Sequence, residues 1–167
     1  MPLLIETKRS VIREFYPNEE DAFVALFADP RVNQHLRERT EDEIRTMFRD
    51  TLAEYAAGSL FSNWAVIDKG NDSFVGMGLL RPYEDKPGKL EVGYALNVPY
   101  WGRGLASEIT AALINYAKQF PNIDEIVAVT TTNNYPSQKV LTRSGLTLQG
   151  NIVRNNTELC LFKLSIK

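Results

Sequence analysis

A chain of 167 residues that is 44% hydrophobic and 24% charged can bury one core but is too short for two comfortable ones, so a single domain over residues 1–167 is expected. With 19 Lys and Arg against 21 Asp and Glu, the formal net charge of −2 excludes the basic footprint of a nucleic-acid binder. No apolar run is as long as a membrane span, Met1 to Glu6 lacks a signal-peptide pattern, and one cysteine excludes an internal disulfide, which together point to a cytoplasmic protein with no membrane partner.

Residues from about 3 to 15 alternate as a strand, with Val11 and Phe15 against Arg13 and Glu14, until Pro17-Asn18 ends it. Asn18-Glu-Glu-Asp21 then supplies a cap and acidic groups for a helix with Phe23, Leu26 and Phe27 on one face. That helix should stop near Asp29-Pro30, because the residue before proline avoids helical geometry. His35, the only histidine, lies on the next connection and reads as an exposed polar residue; with one cysteine far away, no metal site is expected. Thr40-Glu-Asp-Glu43 is a capping box for a second helix, with Ile44, Met47, Phe48, Leu52 and Tyr55 at helical spacing until Gly58.

Residues 61–68 and 74–81 read as an antiparallel hairpin around Lys69-Gly-Asn-Asp72. Gly76 and Gly78 fit a close strand approach better than a ligand loop, because no helix follows them. A strand from Lys89 to Asn97 passes through Pro99, Gly102 and Gly104 into a helix with Leu105, Ile109, Ala112, Leu113, Tyr116 and Phe120 on its apolar face. The β-branched run Glu125 to Thr132 reads as a buried strand, and Pro136 opens a helix that carries Val140 and Leu141 and ends at Gly145. Residues 146–153 and 158–166 make a closing hairpin in which Cys160 is a packed residue rather than a nucleophile. The order is a strand, two helices, three antiparallel strands, a helix, a strand, a helix and two strands, an α+β arrangement.

The junction around Gly102 and Gly104 combines a sharp turn with the positive end of a helix, which suits a pyrophosphate, although Pro and Gly are also ordinary punctuation between strand and helix. Gly102-x-Gly104-x-x-Ser107 lies one residue short of a dinucleotide fingerprint. Against that reading, Pro99-Tyr-Trp101 separates the strand from the glycines, and Asp124-Glu125 precedes the next strand instead of closing it.

Three ordered blocks, Glu91-Val-Gly-Tyr94, Pro99-x-Trp101-Gly-Arg-Gly-Leu-Ala106 and Asn134-x-x-Ser137-x-x-Val140-Leu-x-x-Ser-Gly145-Leu146, resemble the acyl-CoA-binding core of the GNAT N-acetyltransferases. With the opening Glu6-Thr7-x-Arg9 and Asp29-Pro30-x-Val32, the chain is similar to the branch that includes the RimJ and RimL ribosomal-protein acetyltransferases, over nearly its whole length. The resemblance implies an α/β sandwich around a mostly antiparallel, V-splayed sheet. It also implies acetyl-CoA as co-substrate and direct transfer to a primary amine in a ternary complex. A protein N-terminal amine is the first expectation; a polyamine, amino acid or aminoglycoside, or a non-catalytic acyl-CoA sensor, are the alternatives. Arg31 to Arg39 would line the acceptor entrance, and a homodimer through the C-terminal strands is a further option.

By the same resemblance, backbone groups of Leu96, Asn97 and Val98 would hold pantetheine in a wedge between the strands at 91–98 and 125–132, with a backbone N–H near Leu96 or Asn97 facing the reacting carbonyl oxygen. The pyrophosphate would meet Gly102, Arg103, Gly104, Leu105, Ala106 and Ser107; Trp101 stands where many relatives carry Gln or Arg. Asn134 would hold the cofactor. Ser137 would protonate the departing thiolate, since Val140-Leu141-Thr142 offers no tyrosine where many relatives have one. Glu91 is the candidate base for the acceptor amine, directly or through water, against a plain role as a salt-bridged strand residue.

Overall fold

The computed structural model describes residues 2–167, whose strands form one eight-stranded sheet. The strands are β1 (Leu4–Glu6), β2 (Ser10–Arg13), β3 (Asn63–Asp68), β4 (Phe74–Pro82), β5 (Lys89–Leu96), β6 (Glu125–Thr131), β7 (Thr147–Arg154) and β8 (Thr157–Ser165), in the spatial order β1-β2-β3-β4-β5-β6-β8-β7. All neighbours are antiparallel except β5 and β6. The helices are α1 (Glu20–Ala28), α2 (Pro30–Asn33), α3 (Glu41–Ala56), α4 (Leu105–Ala117) and α5 (Tyr135–Arg143). The mixed, mostly antiparallel architecture is the expected one.

Period-two alternation explains why both faces of the sheet are covered. Trp64 and Val66 of β3 join a core with Ile109 and Leu113 of α4, while Ala65 and Ile67 join a second core with Phe23 and Phe27 of α1 and Phe48 of α3. Phe15 sits edge-on to Phe23 and Phe48 at centroid distances of 5.3 and 5.5 Å. Gly78 lets α4 lie close: a Cβ there would stand 3.3 Å from Leu113 Cδ1. Gly76 is tighter still, since a Cβ would meet the Ala95 carbonyl oxygen of β5 at 2.2 Å.

The capping box forms as expected, with Thr40 N–H donating to Glu43 Oε1 at 2.9 Å and Glu43 N–H to Thr40 Oγ1 at 3.2 Å. Two local expectations need correction. The stretch 3–15 is not one strand but the hairpin β1–β2, because Thr7 Oγ1 accepts from Ser10 N–H at 2.9 Å and Thr7 N–H donates to Ser10 O at the same distance, folding the chain back. Pro30 does end α1, but it also opens α2, with Asp29 Oδ1 accepting from Arg31 N–H at 2.9 Å.

What positions the site is the parting of β5 from β6. They pair only at Lys89↔Glu125, Leu90↔Ile126 and Glu91↔Val127. The closed end is held by Lys89 Nζ donating to Glu125 Oε1 at 2.7 Å, and by Gly88 O accepting from the N–H groups of Asp124 and Glu125. Beyond Glu91, β5 continues to Leu96 against β4 and β6 continues to Thr131 against β8, so a wedge opens between them.

Candidate active site

The wedge widens toward the loop that leads into α4. Val98–Tyr100 makes one 3₁₀ turn, after which Gly102 (φ 72°) and Gly104 (φ 78°) adopt the left-handed conformation that glycine tolerates best. A Cβ on Gly102 would meet nothing within 4 Å, and one on Gly104 would meet only Arg9 Nη2, at 3.5 Å. Glu108 N–H donates to Gly104 O at 3.2 Å as the first intrahelical bond, so the N–H groups of Leu105, Ala106 and Ser107 have no partner within the helix and point into this space.

Arg9, on the β1–β2 turn, clamps the loop from behind. It donates through Nη1 to the Arg103 carbonyl at 2.7 Å, and through its backbone N–H and Nε to Glu108 at 2.8 Å each. Burial raises the Glu108 carboxyl, but hydrogen bonds from Arg9 N–H, Thr7 and the Arg9 guanidinium outweigh it and hold the group below its ordinary value. A depressed carboxyl stabilises the fold above its unfolded pKa of about 4.3 and loses that contribution as pH falls through the lower folded value. Glu108→Gln is therefore expected to melt a few degrees below the parent at pH near 7, with the gap closing toward pH about 3; thermal unfolding at both pH values checks this.

At the strand end, backbone accounting decides which groups face the wedge. Asn97 N–H donates to Val75 O at 2.8 Å and Tyr83 N–H to Lys89 O at 3.0 Å, so the odd-numbered residues of β5 turn their backbone groups to β4. Those of Tyr94 and Leu96 turn to the wedge. Of the three residues expected to hold pantetheine, Asn97 has its N–H committed to β4, Leu96 O accepts from Trp101 Nε1 at 2.8 Å, and Val98 O accepts from Trp101 N–H at 3.0 Å. Leu96 N–H is the donor aimed at the opening. The indole of Trp101 thus folds back to close the strand.

Asn134 caps α5, its Oδ1 accepting from Ser137 N–H at 3.3 Å. Ser137 lies in the first turn of α5, and Tyr94 is a half-buried residue of β5 on the face that packs against α4. Burial pushes the Tyr94 phenol up, with a hydrogen bond to Ser137 opposing the shift, so the phenol stays protonated at neutral pH.

On the opposite face, shared with α1 and α3, Glu91 is held by Arg154 of β7 in a bidentate pair, Nη2 to Oε1 at 3.0 Å and Nη1 to Oε2 at 3.2 Å. The Arg154 guanidinium also lies 5.9 Å from the ring centre of the buried Tyr83. His35 needs correction: it is half-buried rather than exposed, and its Nδ1 lies 2.9 Å from Thr131 Oγ1 at the open end of β6. That contact straps the α2–α3 connection across the mouth of the wedge. The sequence signal for Arg9 was its place in Glu6-Thr7-x-Arg9; Arg154 and the His35–Thr131 contact carry no local signal.

Among the described residues no helix is long and apolar enough to cross a membrane. The family model described as an acetyltransferase (GNAT) domain matches residues 9–147. An uncharacterized N-acetyltransferase, p20 of Bacillus licheniformis, is 28% identical over 142 residues, 81% of this chain and 77% of that protein. The fold is similar to a crystal structure of a GNAT-family acetyltransferase from Bacillus anthracis, with TM-score 0.83, 23% identity and coverage of 98% of this chain and 99% of that one. It is similar also to RimL, a ribosomal L7/L12 α-N-protein acetyltransferase in complex with coenzyme A, with TM-score 0.82, 16% identity and 98% coverage of both chains. With that domain model matching residues 9–147, most of its length, the chain belongs to the GNAT acetyltransferase family.

Proposed function

We propose that this enzyme transfers an acetyl group from acetyl-CoA to a primary amine by direct attack, and that the acceptor is the N-terminal amine of a protein or peptide. The observation that carries the reading is the wedge between β5 and β6 opening beside the unfilled space over Gly102 and Gly104. Pyrophosphate oxygens would be met by the N–H groups of Leu105 to Ser107, with the exposed Arg103 guanidinium alongside. Pantetheine amides would extend the edge of β5 at Tyr94 and Leu96. Asn134 offers its Nδ2 hydrogens, since its Oδ1 caps α5.

Acetyl-CoA supplies the activated thioester; the chain's residues supply position and protons. Leu96 N–H would face the carbonyl oxygen as negative charge grows there. Ser137, in the first turn of α5, would give a proton or hydrogen bond to the departing sulfur, and Glu91 would accept the amine proton, directly or through water. The likeness to RimL, a ribosomal L7/L12 α-N-protein acetyltransferase, supports the protein acceptor.

The test is acetyl-CoA consumption with a panel of peptides, polyamines and aminoglycosides. Turnover with free-amine peptides is expected; turnover confined to small amines would replace the acceptor class, and tight CoA binding without any turnover would leave a sensor. Ser137→Ala is expected to lower kcat about tenfold with little change in CoA affinity, because the lost bond belongs to the transition state. Equal kcat in single-turnover measurements would return Ser137 to its helix-start role.

A further inference from the structure

Of the eleven arginines in the chain, Arg39, Arg103 and Arg143 have no carboxylate at ion-pairing distance among the described residues, and of these three only Arg39 is half-buried. Its one hydrogen bond among the described residues is a long one, Nη1 to Arg37 O at 3.4 Å. Burial, and then the neighbouring Arg37 charge, push its guanidinium below the usual value, with Glu43 opposing. A desolvated cation without a counter-ion is costly to keep.

Arg39 lines a cavity of about 330 Å³. Phe27, Leu36 and Ile44 form its apolar wall, and Arg37 and Glu38 share its polar side. Both of those are exposed, and Arg37 is already drawn to Glu43 at 3.6 Å, so solvent screens their charges more than that of Arg39. Asn33 fixes the adjoining backbone by donating from Nδ2 to Phe27 O at 3.0 Å. The cavity also has a defined place. His35, between the lining residues Asn33 and Leu36, is tied to Thr131 at the open end of β6, which sets this pocket beside the mouth of the wedge.

We propose that this cavity binds a carboxylate of the acceptor, with Arg39 as its counter-ion, so that the enzyme prefers amines carried on acidic molecules. The proposal rests on the amine-acetyltransferase reading and narrows its substrate class. An acidic side chain just after a peptide N-terminus and the carboxylate of a free acidic amino acid present the same chemistry. The apolar wall would accept the methylene groups that join amine to carboxylate.

The experiment compares Ser-Glu-Glu and Ser-Gln-Gln peptides, with free glutamate as the small acidic amine, in turnover assays on the full chain. The acetylated forms of both peptides are compared in direct binding by calorimetry. The acidic peptide is expected to exceed the neutral one by about tenfold or more in kcat/KM, and its acetylated form in affinity. Arg39→Gln should collapse both ratios toward one, while Arg39→Lys, which keeps the charge but not the fork, should retain part of each. Preference for glutamate over both peptides would assign the pocket to a small acidic amine instead of a peptide. Turnover without acidic preference, or a preference that survives Arg39→Gln in a folded variant, overturns the carboxylate pocket and leaves amine transfer standing. Acidic binding lost in Arg39→Gln, without turnover of any amine, keeps the pocket and removes the transfer reading.

Discussion

Gly104→Val is expected to lower acetyl-CoA affinity by about a hundredfold, roughly 2.8 kcal/mol at 1.4 kcal/mol per tenfold. Two effects add. At φ 78° a β-branched side chain is strained by about 1–2 kcal/mol, which draws the loop away from its present course. The added atoms would also stand in the space over the helix start, which is bordered only by Arg9 Nη2 at 3.5 Å and is where phosphate oxygens would accept from Leu105 to Ser107. The core should survive, since this residue lies on an exposed loop outside both apolar clusters. Titration calorimetry on a variant with parent-like circular dichroism checks the point; an unchanged Kd would mean the loop does not hold the pyrophosphate.

Glu91→Gln is expected to cut turnover at neutral pH by about a hundredfold, within the range for loss of a general base, and to recover part of it as pH rises toward the acceptor's own pKa. The sign follows from the acceptor, which needs a base only while it is protonated. The bidentate pair with Arg154 sharpens the expectation, because Gln keeps the shape but offers the guanidinium one acceptor oxygen instead of two and no negative charge. Arg154→Met serves as the control for that structural loss: it breaks the same pair while leaving a carboxylate to act as base. If both variants lose the same activity with the same pH profile, Glu91 works only through its ion pair with Arg154.

The elements that were legible in the sequence are those whose causes are local. The capping box at Thr40, the left-handed glycines at 102 and 104, and the β-branched run of β6 each announce themselves within a few residues. The β1–β2 hairpin was not legible, because alternation continues through Thr7 to Arg9 and only the Thr7–Ser10 hydrogen bonds fold the chain back. The site divides in the same way. The Glu91, Gly102–Ser107 and Asn134–Ser137 segments could be placed from their motifs, but what each side chain touches could not. The contact between Arg9 and Glu108 spans 99 residues, that between His35 and Thr131 spans 96, and that between Arg154 and Glu91 spans 63. Partners at such separations are chosen by sheet order, to which a single sequence gives no direct access. The division of backbone groups at the end of β5 is likewise a matter of register: it commits Asn97 to Val75 and leaves Leu96 facing the wedge.

Residue-resolved amide hydrogen exchange with and without saturating CoA tests the central claim, that the co-substrate lies along the opened edge of β5 and against the start of α4. Added protection is expected at Tyr94, Leu96 and Leu105 to Ser107, and little change at Asn97, whose N–H already donates to Val75 O. CoA binding that saturates while Leu96 and the α4 start exchange as before would contradict it.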